Sequence, residues 1–329
     1  MPNQSGGTGL YMTGIKTLLL PQAYQGANKK APYFEGWYFK LQAPDGRIFA
    51  LIPGISNSQT DPHSFIQVIA DGVSSYRRYP TDAFKFKPDK LEISVGGSVF
   101  TGSGMHIDTD ILRGDVRFID SVPFSHKKYS FGIMGPFALM PFLECRHGVV
   151  TVKSGLAGSL EYAGSGKRVC LDGGMGYIEK DWGSVFPDPY VWVHAFLEGG
   201  GSFMLSAARV PVLGRELRGL AAFLYAGERI RRFTTYGGAY VDDMAYSADG
   251  SLRIETKTPT LKLTLTLKAG GTFGLMAPES TGMHREIRES INGSLQIILE
   301  THGGRKLFCD SSQNAAVELS GSIMKLKRR

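Results

Sequence analysis

Between residues 261 and 267 the chain runs Leu, Lys, Leu, Thr, Leu, Thr, Leu. This alternation puts the leucines on one face of a strand and the polar residues on the other. Shorter runs rich in β-branched and aromatic residues, at 37–41, 48–52, 64–70, 149–153, 191–196 and 202–207, predict further strands. Turn chemistry separates them: Pro44-Asp45-Gly46, Asp71-Gly72, Glu198 to Gly201, Asp249-Gly250 and His302-Gly303-Gly304. The segment 283–291 fits two periods. Met283, Ile287 and Ile291 would share a helix face, but Asn292-Gly293 and the apolar residues up to Leu299 favour a strand, which is the expectation taken. The most apolar stretch, 131–142, carries two prolines and two glycines. It cannot be a regular helix or a central strand, so it is expected as a buried loop or as the lining of a greasy cavity.

The strand pattern repeats. Trp37-Tyr38-Phe39, a turn, and Ile48-Phe49-Ala50-Leu51 match Trp192-Val193-His194, a turn, and Ser202-Phe203-Met204-Leu205, at an offset of 155 (192 minus 37). Further on, Leu156-Ala157-Gly158-Ser159-Leu160 matches Ile291-Asn292-Gly293-Ser294-Leu295, and Ile178-Glu179 matches Val317-Glu318. The expectation is an all-β chain made of two tandem antiparallel β-barrels, residues 1–183 and 184–329. The copies differ where it matters. The first ends Gly176-Tyr177-Ile178-Glu179-Lys180-Asp181-Trp182-Gly183, whereas the second ends Ala316-Val317-Glu318-Leu319-Ser320-Gly321. The aromatic and acidic elaboration is thus present once, at the junction.

Composition narrows the function. Glycine supplies 42 of 329 residues, almost twice its usual share, which excludes a coiled coil or helical bundle. The net charge of +7 is spread along the chain rather than gathered in a stripe, so no nucleic-acid partner is expected. Only Lys325, Lys327, Arg328 and Arg329 cluster, as a solvated terminus. Cys145, Cys170 and Cys309 form no C-x-x-C pair, and no basic-then-apolar leader opens the chain, so a reducing, cytoplasmic setting is expected. The apolar run 18–20 is too short to span a bilayer, and any membrane contact would be peripheral. With no H-E-x-x-H, no close histidine pair and no Cys/His cluster, no metal site is expected. A G-x-S-x-G elbow, a P-loop and a G-x-G-x-x-G are all absent, so no cofactor is expected either.

What remains is a set of acids among aromatics. In Phe34-Glu35-Gly36-Trp37-Tyr38-Phe39-Lys40 strand alternation puts Glu35, Trp37 and Phe39 on one face. In 177–182 it separates Tyr177, Glu179 and Asp181 from Ile178, Lys180 and Trp182. Either the acids pair with Lys40, Lys180 or an arginine while Trp37 plugs a barrel end, or Glu179 and Asp181 form a paired-carboxylate site that retains a proton. The proline-stiffened stretch from Phe186 to Trp192 either packs the barrels together or walls a pocket between them. His284, Arg285, Glu286, Arg288 and Glu289 are expected on a salt-bridged surface.

These segments resemble the tocopherol cyclase family, its bacterial branch in particular. The residues that carry the resemblance are Phe34 to Lys40, Gly132-Ile133-Met134-Gly135-Pro136-Phe137, Glu144-Cys145 with His147-Gly148-Val149, Gly176 to Gly183, Phe186-Pro187, Trp192, and Arg285 to Ser290. The resemblance implies two lipocalin-like barrels, as in the related carotenoid hydratases and some fungal pericyclases. It also implies chemistry like that of the plant enzymes, which close a prenylated hydroquinone to a chromanol without a redox cofactor. Such a reaction needs an acid that stays protonated near neutral pH, for which Glu179 and Asp181 are the candidates and Glu35 a weaker one. Aromatic faces for the transient cation would come from Trp37, Trp182 or Trp192, and Tyr177 or His194 would orient the phenol. The ligand is an apolar small molecule. The rival reading is a non-catalytic lipid or isoprenoid carrier, which needs the pocket but not the acids.

Overall fold

The computed structural model describes residues 18–127, 129–141, 143–212 and 214–328; Phe142 and Arg329 lie outside the described residues. Two curled antiparallel sheets carry nearly all of the regular structure, and among the described residues three 3-10 segments lie between strands and a fourth follows the last strand. The first sheet runs in the order Val73–Tyr79, His63–Ala70, Ile48–Asn57, Tyr33–Gln42, Met175–Gly183, Cys145–Tyr162, Leu112–Pro123, and then the short strands between residues 85 and 108. The second runs Arg229–Thr234, Arg215–Ala226, Ser202–Val212, Tyr190–Phe196, Lys306–Ser320, Gly282–Thr301, Leu261–Lys268, Leu252–Lys257, Tyr240–Tyr246. Each is a lipocalin-like barrel with its own core. Trp37, Phe39, Leu51 and Ile178 fill the first; Val193, Phe203, Leu265 and Val317 fill the second.

All the runs predicted as strands fall inside strands, and the turns lie where the chemistry put them. Gly46 and Gly72, for example, sit at φ +86 and +88, which only glycine adopts freely. The ambiguous 283–291 is strand, part of Gly282–Thr301. The apolar stretch became 3-10 turns at Gly132–Leu139, kinked at Gly135 (φ 54, ψ −136).

A third apolar cluster lies between the barrels, joining Tyr38, Val149 and Tyr177 of the first to Trp192, Phe223 and Ile287 of the second. Residues of one strand therefore serve two cores by alternation: Trp37 and Phe39 point into the first barrel, Tyr38 out towards the second. This corrects the repeat. Trp37 and Trp192 align in sequence, yet Trp37 fills a barrel and Trp192 lies in the interface, while Val193 fills the second barrel. A one-residue slip in strand register reverses the face, so the aligned tryptophans are not equivalent. A second correction concerns the charged run. His284, Glu286 and Arg288 are exposed, but Glu289 is fully buried, because it shares the interface-facing side with Ile287 and Ile291. Among the described residues no helix is long and apolar enough to cross a membrane.

Candidate active site between the barrels

Strand Met175–Gly183 sits between Tyr33–Gln42 and Cys145–Tyr162. Its alternation sends Ile178 and Trp182 inward and Tyr177 towards the second barrel. The two faces have different chemistry.

On the inner face Glu35 and Lys180 form an ion pair at 2.6 Å with both side chains fully sealed. The Gln25 backbone N–H donates to both Glu35 oxygens at 3.0 and 2.9 Å, and the Tyr33 hydroxyl donates to Oε2. The Lys180 ammonium lies 4.9 Å from the Trp37 ring centre and 4.6 Å from that of Trp182. Burial pushes Glu35 up and Lys180 down, and each partner opposes the shift of the other. Glu35, Trp37 and Trp182 thus form a closed structural knot inside the first barrel. The fold does not bring them to the cavity described below, because they lie on the opposite strand face from Tyr177 and Glu179.

The outer face opens on a cavity of about 180 Å³ between the barrels. Its walls are mostly apolar and come from both, including Ile52 and Phe65 of the first barrel and Leu275 and Ile287 of the second. The kinked 3-10 segment supplies Ile133, Met134 and Phe137, so the greasy stretch does line a cavity. Tyr236 braces it, donating from its hydroxyl to the Ile133 carbonyl at 3.1 Å and packing edge-on against Phe137.

Polar groups gather at one end. Tyr177 donates to Glu179 Oε2 at 2.5 Å and Trp192 Nε1 to the same oxygen at 3.2 Å. His147 stands across the strand pair from Asp181, with Nδ1 2.9 Å from Asp181 Oδ1 and Nε2 3.4 Å from Glu179 Oε2. From the second barrel come Glu318, which accepts from the Tyr190 hydroxyl at 2.8 Å, and behind the wall Glu289, bonded by the Tyr38 hydroxyl. Tyr177 and His194 stack at 3.7 Å between ring centres and lie behind the wall rather than on it. Trp192 reaches the cavity itself. Of the residues proposed from sequence, then, Glu179, Asp181 and Trp192 line the cavity and Tyr177 and His194 support it. Glu35, Trp37 and Trp182 stand apart.

Crowding of carboxyls in a dry setting sets their protonation. Loss of water raises Glu179 to about 7; nearby His147 pulls it down and Asp181 pushes it up. Burial likewise raises Glu289 to about 7, against the Tyr38 bond and Lys40. Glu318 borders the cavity, partly buried, and desolvation with Glu289 beside it raises it well above the carboxylate range. Burial would lower His147, but the Asp181 and Glu179 charges outweigh it and lift the imidazole to about 9. Lys40, sealed between the barrels and donating to the carbonyls of His194 (3.1 Å) and Asn314 (2.8 Å), is lowered by burial to about 7. Burial, with Lys40 nearby, keeps His194 neutral.

The sequence did not lead to His147, Glu289 or Glu318 as site residues. A signal existed for each. Glu289 alternates with Ile287 and Ile291, Glu318 matches Glu179 in the repeat, and His147 alternates with Val149. The absence of a metal motif was also a matter of spacing only: His147, far in sequence from the neighbouring Glu179 and Asp181, joins them so that each of the three offers one ligand atom within 4.8 Å of the others. In this arrangement the three are already tied to one another by the contacts above. The chemistry the site offers is a carboxyl that holds its proton up to about pH 7, a charged imidazole and aromatic faces at the edge of an apolar cavity.

Comparison with known proteins agrees with this architecture. A rice protein (Oryza sativa subsp. japonica) described as "Probable tocopherol cyclase, chloroplastic" is 29% identical, the match covering 88% of this chain and 76% of that one. The solved structure of CghA superposes with a TM-score of 0.62 at 14% identity, covering 94% of this chain and 93% of the other. A Nitrosomonas europaea protein provisionally named AttH gives 0.55 at 15%, covering 91% and 98%. At such identities these two structures speak for the fold alone. A family model described as tocopherol cyclase-like matches residues 123–321, more than half the chain and a span that holds His147, Glu179, Asp181, Glu289 and Glu318; the chain belongs to the tocopherol cyclase-like family.

Proposed function

We propose that the inter-barrel cavity binds a prenylated quinol, or another isoprenoid with a trisubstituted alkene, and cyclises it by acid catalysis without a redox cofactor. The observation that carries this reading is Glu179: a carboxyl raised to about 7 by burial, set in the wall of an apolar cavity. The contacts from Tyr177, Trp192 and His147 all converge on Oε2. Oε1 is then the oxygen that faces substrate. Its proton passes to the less substituted alkene carbon and leaves a tertiary cation, and the phenol oxygen forms the C–O bond. The phenol proton returns to the Glu179 carboxylate, so the product is an isomer of the substrate. The faces of Trp192 and Tyr38, both on the cavity, can stabilise the cation by roughly 0.5–2 kcal/mol each. Apolar walls keep out the water that would otherwise capture it.

The test is incubation with a prenylated hydroquinone in D2O, followed by chiral chromatography and mass spectrometry. A single chromanol enantiomer carrying one carbon-bound deuterium is the expected product, and Glu179→Gln is expected to bind substrate while losing about 10²–10⁴ in turnover. Substrate recovered unchanged but bound, with the same affinity in Glu179→Gln, would replace this reading with that of a carrier.

A further inference from the structure

Strand Arg215–Ala226 borders two cavities. Leu217 and Ala221 face the one between the barrels, Glu216 and Arg218 face a second, of about 340 Å³, and Gly219 and Leu220 border both. Its floor is the apolar end of the second barrel, made by Leu220, Ala239, Val241 and Leu326, all core residues there. The cavity therefore occupies a mouth of that barrel.

Two guanidinium groups stand at this mouth. Arg218 directs a buried Nε that has no hydrogen-bond partner among the described residues. Arg328 lies 4.5 Å over the Tyr240 ring and is held by its backbone N–H, which donates to the Val241 carbonyl at 2.8 Å. Arg209 stands directly opposite Arg218 in the strand pair. The carboxylate on this wall, Glu216, is engaged by Arg209 at 3.2 Å. A like-charged cross-strand pair and an orphaned buried donor are both unfavourable, and an anion would relieve both.

We propose that the mouth of the second barrel binds an anionic amphiphile, with a carboxylate or phosphate head on Arg218 and Arg328 and a short apolar tail on Leu220, Ala239, Val241 and Leu326. Arginine suits this role because its planar fork pairs two donors with such a head at once. The site is a different cavity from the one that holds Glu179, with Gly219 and Leu220 in the wall common to both, and the inference does not depend on the reaction proposed there.

Calorimetric titration of the full chain with octanoate, octyl phosphate and octanol, each below its micellar range, tests it. At least one of the anions should bind with one-to-one stoichiometry and at least about tenfold more tightly than octanol, as a charge-assisted contact requires. Which of the two binds identifies the head group. Arg328→Gln, near the chain end, and Arg218→Lys, which keeps the charge but lacks Nε, should each weaken anion binding by about tenfold without lowering the melting temperature. Trp192→Ala, in the other cavity, should leave it unaltered. Equal affinity for octanol, or binding indifferent to both arginine variants, would overturn the proposal.

Discussion

Glu179 and His147 face each other with their titration ranges moved in the same direction by different causes. Glu179 rises to about 7 because water is removed from it, and His147 rises to about 9 because the Asp181 charge, joined by that of Glu179 once ionised, outweighs its burial. A catalyst that needs protonated Glu179 should lose turnover as pH rises through about 7, and a pH–rate profile checks this. Asp181→Asn removes the nearer of the two charges, so the imidazole of His147 should titrate lower than in the parent, measurable by NMR. Stability follows the same groups. A carboxyl raised from its unfolded value of 4.5 to about 7 binds more protons when folded across that interval, so folding stability falls as pH rises through it. Glu179, Glu289 and Glu318 all contribute in that direction. The melting temperature should therefore drop between pH 5 and pH 7, and Glu289→Gln should flatten the slope. Two of these three residues escaped the sequence reading for a physical reason. In a list of charges Glu289 belongs to a polar run, and only strand alternation, fixed by pairing, turns it inward.

At the scale of the element, strand Met175–Gly183 makes two sites back to back. Its inner face holds the sealed Glu35–Lys180 pair. Lys180→Met would strand Glu35 as an uncompensated buried acid, with an expected loss of about 3–5 kcal/mol in chemical denaturation. The double variant Glu35→Gln/Lys180→Met should recover part of that loss. The 3-10 segment Gly132–Leu139 is tuned to its neighbour in a comparable way. A Cβ on Gly135 would come 2.6 Å from the Tyr236 ring, at a φ of +54 that side chains rarely adopt. Gly135→Ala should cost of order 1–3 kcal/mol and loosen the cavity wall. Hydrogen exchange should show the loss of protection centred on residues 132–139 and 236, with weaker ligand affinity alongside.

For the whole molecule, the decisive feature is that two barrels share a third core. Tyr38, Val149, Tyr177, Trp192 and Phe223 are buried only because the barrels meet. Expressed apart, residues 18–183 and 184–329 would each expose one half of that cluster. A contiguous apolar patch of this kind drives association. Each half should elute as an oligomer or aggregate in size-exclusion chromatography and bind no apolar ligand, whereas the full chain should show no such aggregation and should bind the ligand. The cavity, with Glu179 from one barrel and Glu318 from the other, exists only in the pair.

Alternating leucines, glycine-bearing turns and the repeat were sufficient to determine an all-β chain of two barrels, because strand period and turn chemistry are local properties of the backbone. The junction's acids and aromatics were legible for the same reason. Their partners were not. Which face of Tyr33–Gln42 looks into a barrel and which across to its neighbour depends on how the sheets curl and dock, and that choice alone put Glu35 in an inert ion pair and Glu179 on a cavity. Bringing His147 and Glu318 to Glu179 took strand pairing across 32 residues in one case and barrel packing across 139 in the other (179 minus 147; 318 minus 179). A carboxyl's proton affinity depends on what surrounds it in three dimensions, so the chemistry of this site was decided by the tertiary structure.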